Sequence, residues 1–107
     1  MKLVKIILFL LISFNTPLKA NSGDNIQSIL NEGGKLIFIR HAYAPGGGDP
    51  DNFDILNCAS QRNLNEEGIE QAKKIGKFFL EKDIIIDKIL SSEWCRCKQT
   101  AEYAFKN

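Results

Sequence analysis

Two short apolar runs, at residues 35–39 and 84–90, stand on either side of an amphipathic segment at residues 65–82. Both runs are rich in β-branched and aromatic residues, which favours strands buried on both faces. The segment between them has apolar residues at helical spacing: Ile69, Ala72, Ile75 and Phe79. A helix of this length can serve as the crossover between parallel strands, so the pattern predicts an α/β fold.

Shorter patterns complete the predicted order of elements. Residues 25–31 have apolar side chains at helical spacing and precede Gly33 and Gly34, which are typical of helix ends. Residues 93–105 show helical spacing again, and residues 42–61 predict a long loop rich in glycine, proline and aspartate. We expect a partial three-layer α/β/α domain with a mainly parallel sheet. Two strands cannot complete such a sheet, so we expect the domain to be truncated in this chain.

The N-terminal segment has the pattern of a secretory signal peptide. Lys2 and Lys5 precede an apolar run at residues 6–14, and a polar stretch ends at Ala20. The run is shorter than the roughly 20 apolar residues that span a membrane, so we expect no stable membrane anchor. The sequence therefore predicts a signal peptide at residues 1–20, a domain at residues 21–107 and a secreted or periplasmic location.

The charge of the chain argues against polyanionic partners. The formal net charge is +1, and three of the 14 basic residues lie in the predicted signal peptide, which has no acidic residue. The remaining domain is slightly acidic and has no basic run. Nothing in its electrostatics predicts nucleic acid as a partner.

Three cysteines, Cys58, Cys95 and Cys97, would meet an oxidising environment after export, where one pair can form a disulfide. A bridge between Cys95 and Cys97 would be strained, so we expect Cys58 to pair with one of them. A metal site at Cys95, Cys97 and His41 is the weaker alternative, because the residues lack the usual spacing of four zinc ligands. We therefore expect no metal.

The end of each predicted strand carries residues suited to an anion. Ligands gather at the carboxyl ends of parallel strands in open α/β sheets. The first strand ends at Arg40 and His41, and Arg96 follows the second strand near the start of a helix. Guanidinium groups and helix N-terminal amides can hold phosphate oxygens, and an imidazole beside them can act as a nucleophile.

Each of these residues also has an ordinary structural interpretation. A single histidine at a strand end is often a structural side chain, and the two arginines can be surface charges. Ser91 and Ser92, which precede the last predicted helix, are interpreted as helix caps rather than as catalytic groups. The glycines at residues 46–48 lack the form of a nucleotide-binding loop and are interpreted as flexible loop.

Three segments resemble signatures of the histidine phosphatase superfamily, which also contains the phosphoglycerate mutases. Residues 36–42, LIFIRHA, look like the family's strand and Arg-His-Gly motif. Residues 62–72, RNLNEEGIEQA, are similar to its R-x-L-S/T-x-x-G-x-x-Q-A stretch. Residues 90–101, LSSEWCRCKQTA, resemble its S-S-x-x-x-R-x-x-Q-T-A segment. The three matches occur in the family's order and cover most of the chain after the signal.

The resemblance implies roles that agree with the chemistry of the residues. His41 would attack a phosphate monoester to form a phosphohistidine, which water would then hydrolyse. Arg40 and Arg96 would hold the phosphoryl oxygens, and Arg62 is a further candidate for substrate contact. Catalysis of this kind rests on positioning and charge stabilisation, so no cofactor is expected.

The sequence departs from the family's pattern at several points. Ala42 stands where the family has glycine, and Asn65 replaces serine or threonine but can still cap a helix. The family's second histidine and its usual proton donor come from later in the chain, and this sequence has one histidine. Glu93 is the candidate proton donor for the leaving group. The other acidic candidates lie in the long loop: Asp49, Asp51 and Asp54.

The sequence therefore predicts an exported phosphomonoesterase, present here as part of its chain, that acts on a small phosphorylated substrate. Two alternatives stay open: a noncatalytic anion-binding relative, and a small secreted protein held together by a disulfide or a metal. The substrate, the proton donor, the cysteine pairing and the oligomeric state are not determined by the sequence.

Overall fold

Three α-helices are the main elements of the computed structural model, which describes residues 22–106. Helix α1 spans Ser22–Asn31, α2 spans Glu66–Glu81 and α3 spans Cys95–Phe105. A short 3-10 helix, Cys58–Ser60, lies in the long loop before α2. The predicted signal peptide lies outside the described residues. Within them, no helix is both long and apolar enough to cross a membrane.

Helix α2 begins where the sequence predicts it. The side chain of Asn65 accepts a hydrogen bond from the Gly68 backbone N–H at 2.9 Å, which caps the first turn. Of its apolar stripe, Ala72 and Phe79 are buried, at 0% and 9% exposure. The prediction of an amphipathic helix over residues 65–82 is therefore confirmed, and so is the helix predicted at residues 25–31.

Helix α3 begins two residues later than the sequence pattern predicts. Trp94 has φ −58° and ψ 134°, which is not a helical conformation, so Cys95 is the first helical residue. Trp94 is the N-cap and makes no capping hydrogen bond through its side chain. The interpretation of Ser91 and Ser92 as helix caps is therefore wrong.

A disulfide and a glutamine hold the long loop against the start of α3. Cys58 is bonded to Cys95, 37 residues away, which is one of the two pairings that the sequence leaves open, and Cys97 is free. Gln61 is 7% exposed, and its side-chain oxygen accepts a hydrogen bond from the Cys95 N–H at 3.0 Å. Its amide nitrogen donates to two loop carbonyls. The first backbone N–H of α3 is thus hydrogen-bonded to a residue of the loop.

Helices α2 and α3 pack together at unusually short range. A Cβ atom on Gly76 would overlap the backbone of Ala104, so only glycine allows this approach. Beside that contact, the rings of Phe79 and Phe105 meet edge to face with centroids 5.3 Å apart. Ala104 is buried in the same contact, which forms the main packing of the described chain.

Neither apolar run is paired in a β-ladder within residues 22–106, where one isolated bridge joins Asp54 to Asn57. In the first run, Leu36 and Phe38 are 84% and 92% exposed, whereas the isoleucines that alternate with them are about half as exposed. An alternation of two is that of a strand. Strands apolar on both faces need neighbouring strands to cover them, so the α/β fold with a mainly parallel sheet stays a prediction.

Gly68→Ala is expected to lower the free energy of unfolding by about 1–3 kcal/mol. The added Cβ would overlap the backbone carbonyl of Tyr43, which is fixed by its neighbours. Urea denaturation of the two proteins measures the difference. Gly47→Ala is the matched control, because a Cβ there meets nothing within 4 Å. Equal unfolding free energies for the two variants would contradict the close approach at Gly68.

Candidate functional site

His41 follows the first apolar run, and its half-buried ring is oriented by a neighbouring carbonyl. Its Nδ1 lies 2.7 Å from the backbone oxygen of Ala42. A carbonyl oxygen only accepts hydrogen bonds, so a neutral ring must carry its proton on Nδ1. The lone pair is then on Nε2, which is the form in which an imidazole can act as a nucleophile.

The backbone after His41 is fixed to both long helices. The Ala42 N–H donates to Thr100 Oγ1 of α3 at 2.9 Å, and the Tyr43 N–H donates to Gln71 Oε1 of α2 at 2.7 Å. The Thr100 hydroxyl donates in turn to a carbonyl one turn earlier in α3. Ala42 and Thr100 are both buried, so water does not compete for these bonds. The position of the imidazole is therefore set by α2 and α3 together.

A cavity of about 370 Å³ opens beside His41. This volume lies within the range of about 300–1,000 Å³ that is usual for small-molecule sites. Two arginines and no carboxylate stand among its lining residues, which makes the cavity suited to an anion such as phosphate. The lining consists of Arg40, His41, Tyr43, Ala44, Gly46, Arg62 and Gln71.

Arg62 is held in the cavity wall by the loop that follows His41. Its Nη1 donates to the backbone oxygens of Ala44 at 2.9 Å and Gly46 at 3.3 Å. Gly46 has φ 106°, a conformation that favours glycine, and the aliphatic part of Arg62 lies against it. The Nε of Arg62 is buried without a partner. The loop therefore fixes the direction of this guanidinium.

Arg96 does not line the cavity and is instead in an ion pair with Asp49. Its Nη1 lies 3.1 Å from Asp49 Oδ1 and donates to Oδ2 at the same distance, and the two side chains are 11% and 13% exposed. The guanidinium also lies over the ring of Trp94, 4.4 Å from its centroid. Asp49 Oδ1 further accepts a hydrogen bond from the Arg62 backbone N–H at 2.8 Å. Asp49 thus joins Arg96 to the wall of the cavity.

The structure brings together three of the residues that the sequence singles out. Arg40, His41 and Arg62 line the same cavity. Arg96, expected to form the second clamp, reaches this group only through Asp49 and Thr100. Glu93 is exposed and is not among the lining residues. The catalytic roles assigned to these residues stay predictions.

The metal alternative has no counterpart in the described part of the chain. Cys95, which that alternative needs as a ligand, is bonded to Cys58. Within residues 22–106, no group of three or more His, Cys, Asp or Glu side chains is arranged to hold a metal ion.

Three polar residues that position the site were not assigned a role from the sequence: Gln61, Gln71 and Thr100. A glutamine in a loop or a helix resembles a surface residue, and Thr100 lies among the small residues of the α3 stripe. Gln71 and Thr100 do fall inside the family-like segments at residues 62–72 and 90–101. Their place in these segments is the sequence feature that points to a role for Gln71 and Thr100 in the site.

The family model of the histidine phosphatase superfamily (branch 1) matches residues 36–107. The chain belongs to the histidine phosphatase superfamily. The superfamily region includes every residue that lines the cavity, and it begins four residues before Arg40.

A broad-specificity phosphatase of Saccharomyces cerevisiae is similar to this member of the histidine phosphatase superfamily. The two are 33% identical over 73 residues, which make up 68% of this chain. The matched region spans 30% of the yeast protein's length. No solved structure matches the chain.

Proposed function

We propose that the protein is an exported phosphomonoesterase that forms a phosphohistidine at His41, and that this chain is its N-terminal part. The observation that carries the proposal is the pairing of an oriented imidazole with a cavity lined by two arginines. This pairing supplies a nucleophile and an oxyanion clamp in one place. The substrate class that fits is a small phosphorylated compound.

In the first proposed step, the lone pair on His41 Nε2 attacks the phosphorus atom. A P–N bond forms, the P–O bond to the alcohol breaks, and the leaving alkoxide takes a proton from solvent water, since the described lining residues include no carboxylate. Arg40 and Arg62 lie in the cavity wall, where they can bind the phosphoryl oxygens. Arg96 keeps the clamping role that the resemblance implies, through Nη2, because Asp49 occupies Nη1 and Nε is buried.

In the second proposed step, water attacks the phosphorus atom and the P–N bond breaks. Inorganic phosphate leaves, and His41 returns to the neutral form whose Nδ1 proton is held by the Ala42 carbonyl. Both steps develop charge on phosphoryl oxygens, and fixed guanidinium groups stabilise that charge without rearrangement. The proposal involves no cofactor.

A noncatalytic anion-binding protein is the second candidate function. It is favoured by the composition of the cavity wall, where the described lining residues include no carboxylate to protonate a leaving group. Glu93, the candidate donor from the sequence, lies outside that lining. Such a protein would keep the arginines and bind phosphate without turnover.

Export through a signal peptide at residues 1–20, to a secreted or periplasmic location, is part of the same proposal. The Cys58–Cys95 disulfide supports it, because disulfides form and persist in oxidising compartments and are rare in reducing ones.

The test is to trap the phosphoenzyme of the full-length protein with a radiolabelled phosphomonoester. The reaction is quenched in alkali, because a phosphoramidate bond is labile in acid, and the labelled peptide is identified by mass spectrometry. We expect the label on the peptide that contains His41. Turnover without that label would exclude the phosphohistidine, and phosphate binding without turnover would support the anion-binding candidate.

A further inference from the structure

Asp49 is the one loop carboxylate in direct contact with two arginines of the site region. Both of its oxygens lie 3.1 Å from Arg96 Nη1, and Oδ1 also accepts the Arg62 backbone N–H at 2.8 Å. The contacts join the loop after His41, the segment that leads into α2 and the first turn of α3. Asp49 and Arg96 are 47 positions apart in the sequence.

The Asp49 contacts determine which nitrogens of Arg96 remain for an anion. Nη1 is bound to the carboxylate, Nε is buried without a partner, and the face of the guanidinium lies on Trp94. Nη2 is therefore the nitrogen left to bind an incoming oxyanion. The carboxylate also keeps a largely buried cation neutralised while no anion is present.

We infer that Asp49 is a positioning residue, which holds Arg96 and the backbone of Arg62 in the arrangement that binds phosphate. The inference rests on the proposed function for the identity of the anion. Asp49 acts through the two arginines and does not itself touch the substrate. The role differs from that of a proton donor, because the oxygens of Asp49 accept hydrogen bonds from Arg96 and from the Arg62 backbone, and Asp49 is not among the residues that line the cavity.

A carboxylate that is bound to an arginine can also have the opposite role, which is to compete with phosphate. It then occupies the phosphate position in the free protein and is displaced when phosphate binds. The geometry favours positioning, because Asp49 is also bonded to the Arg62 backbone, which is independent of Arg96. A displaced carboxylate would lose that bond as well. The two roles predict opposite effects on phosphate affinity when the charge of Asp49 is removed.

The experiment measures binding of inorganic phosphate to the full-length protein by isothermal titration calorimetry, with kcat and KM for p-nitrophenyl phosphate measured in parallel. The main variant is Asp49→Asn, which keeps the size of the side chain and an oxygen for the Arg62 N–H. Glu81→Gln is the matched control, because it makes the same chemical change in an exposed ion pair with Lys77 on α2. A second pair, Arg96→Ala and Arg96→Ala with Asp49→Asn, completes a double-mutant cycle.

We expect Asp49→Asn to weaken phosphate binding about tenfold, as the loss of a charge-assisted hydrogen bond implies, and Glu81→Gln to leave it unchanged. In the Arg96→Ala background, the effect of Asp49→Asn should fall below about twofold, since the contact with Arg96 is already gone. Tighter phosphate binding by Asp49→Asn would overturn the inference in favour of a competing carboxylate. Unchanged binding, or an equal loss in both backgrounds, would overturn it as well.

The calorimetric readout separates this inference from the proposed function. Phosphate binding that depends on Asp49, in a protein that never labels His41, would support the positioning role and refute the enzyme. Turnover through His41 that is insensitive to Asp49→Asn would refute the positioning role and leave the enzyme intact.

Discussion

His41→Ala is expected to abolish phosphoenzyme formation and to lower kcat by at least roughly a thousandfold. The substitution removes the nitrogen to which the phosphoryl group would be transferred. The arginines of the cavity remain, so inorganic phosphate should still bind. Steady-state hydrolysis of p-nitrophenyl phosphate and the trapping of labelled protein measure the two effects.

His41→Asn separates the chemistry of the ring from its structural contact. An asparagine side chain has an N–H that can donate to the Ala42 carbonyl, as Nδ1 does, but it has no nucleophilic nitrogen. We expect this variant to lose activity as completely as His41→Ala while unfolding at a urea concentration close to that of the wild type. Labelling of either variant would place the phosphoryl group on another residue.

Reduction of the Cys58–Cys95 disulfide is expected to lower the free energy of unfolding by about 4 kcal/mol. The bond closes a segment of 37 residues, and the open chain gains conformational freedom mainly in the unfolded state. The same segment carries the end of the loop, with Gln61, and all of α2, so its release also loosens the contact of Gln61 with the start of α3. Urea denaturation with and without dithiothreitol measures the difference.

Cys97→Ser is the control for this effect, because Cys97 is free in the structure and its removal leaves the bond intact. Its unfolding free energy should lie within about 0.5 kcal/mol of the wild type under oxidising conditions. It should lose the same stability on reduction. A wild-type protein that unfolds at the same urea concentration with and without reductant would contradict the structural role of the disulfide.

The helices could be predicted from the sequence because their signals are local. The stripe of α2 and the cap at Asn65 lie within one segment, and the structure has both. The start of α3 could not be read in the same way. Its first N–H is bonded to Gln61, 34 residues away, and no local pattern of serines reports that partner.

The candidate site was predictable in its chemistry and less so in its geometry. The rule that ligands gather at strand ends points to Arg40 and His41, and the cavity lies there. The direction of a long arginine side chain depends on partners that are distant in sequence. Arg96 is turned toward Asp49, and Arg62 takes a place in the cavity wall.

The predicted sheet shows the limit of pattern reading in another way. The alternating exposure of residues 36–39 agrees with a strand. A β-ladder needs two paired segments, however, and the sequence of one segment does not say which other segment it pairs with. The sheet therefore stays a prediction. The chain that follows this segment does have a fixed position, because the backbone N–H groups of Ala42 and Tyr43 donate to side chains of α3 and α2.

Gly68 and Gly76 lie on the same helix, about 12 Å apart along its axis, and each is in contact with a different backbone. Inserting or deleting one residue between them would rotate one glycine by about 100° around the helix axis relative to the other. A side chain would then lie at a contact where only the hydrogen atom of a glycine fits. We therefore expect the exposed face of α2 to diverge freely among homologues while this stretch keeps its length. In evolution, α2 would then keep a constant distance between the loop that follows His41 and α3.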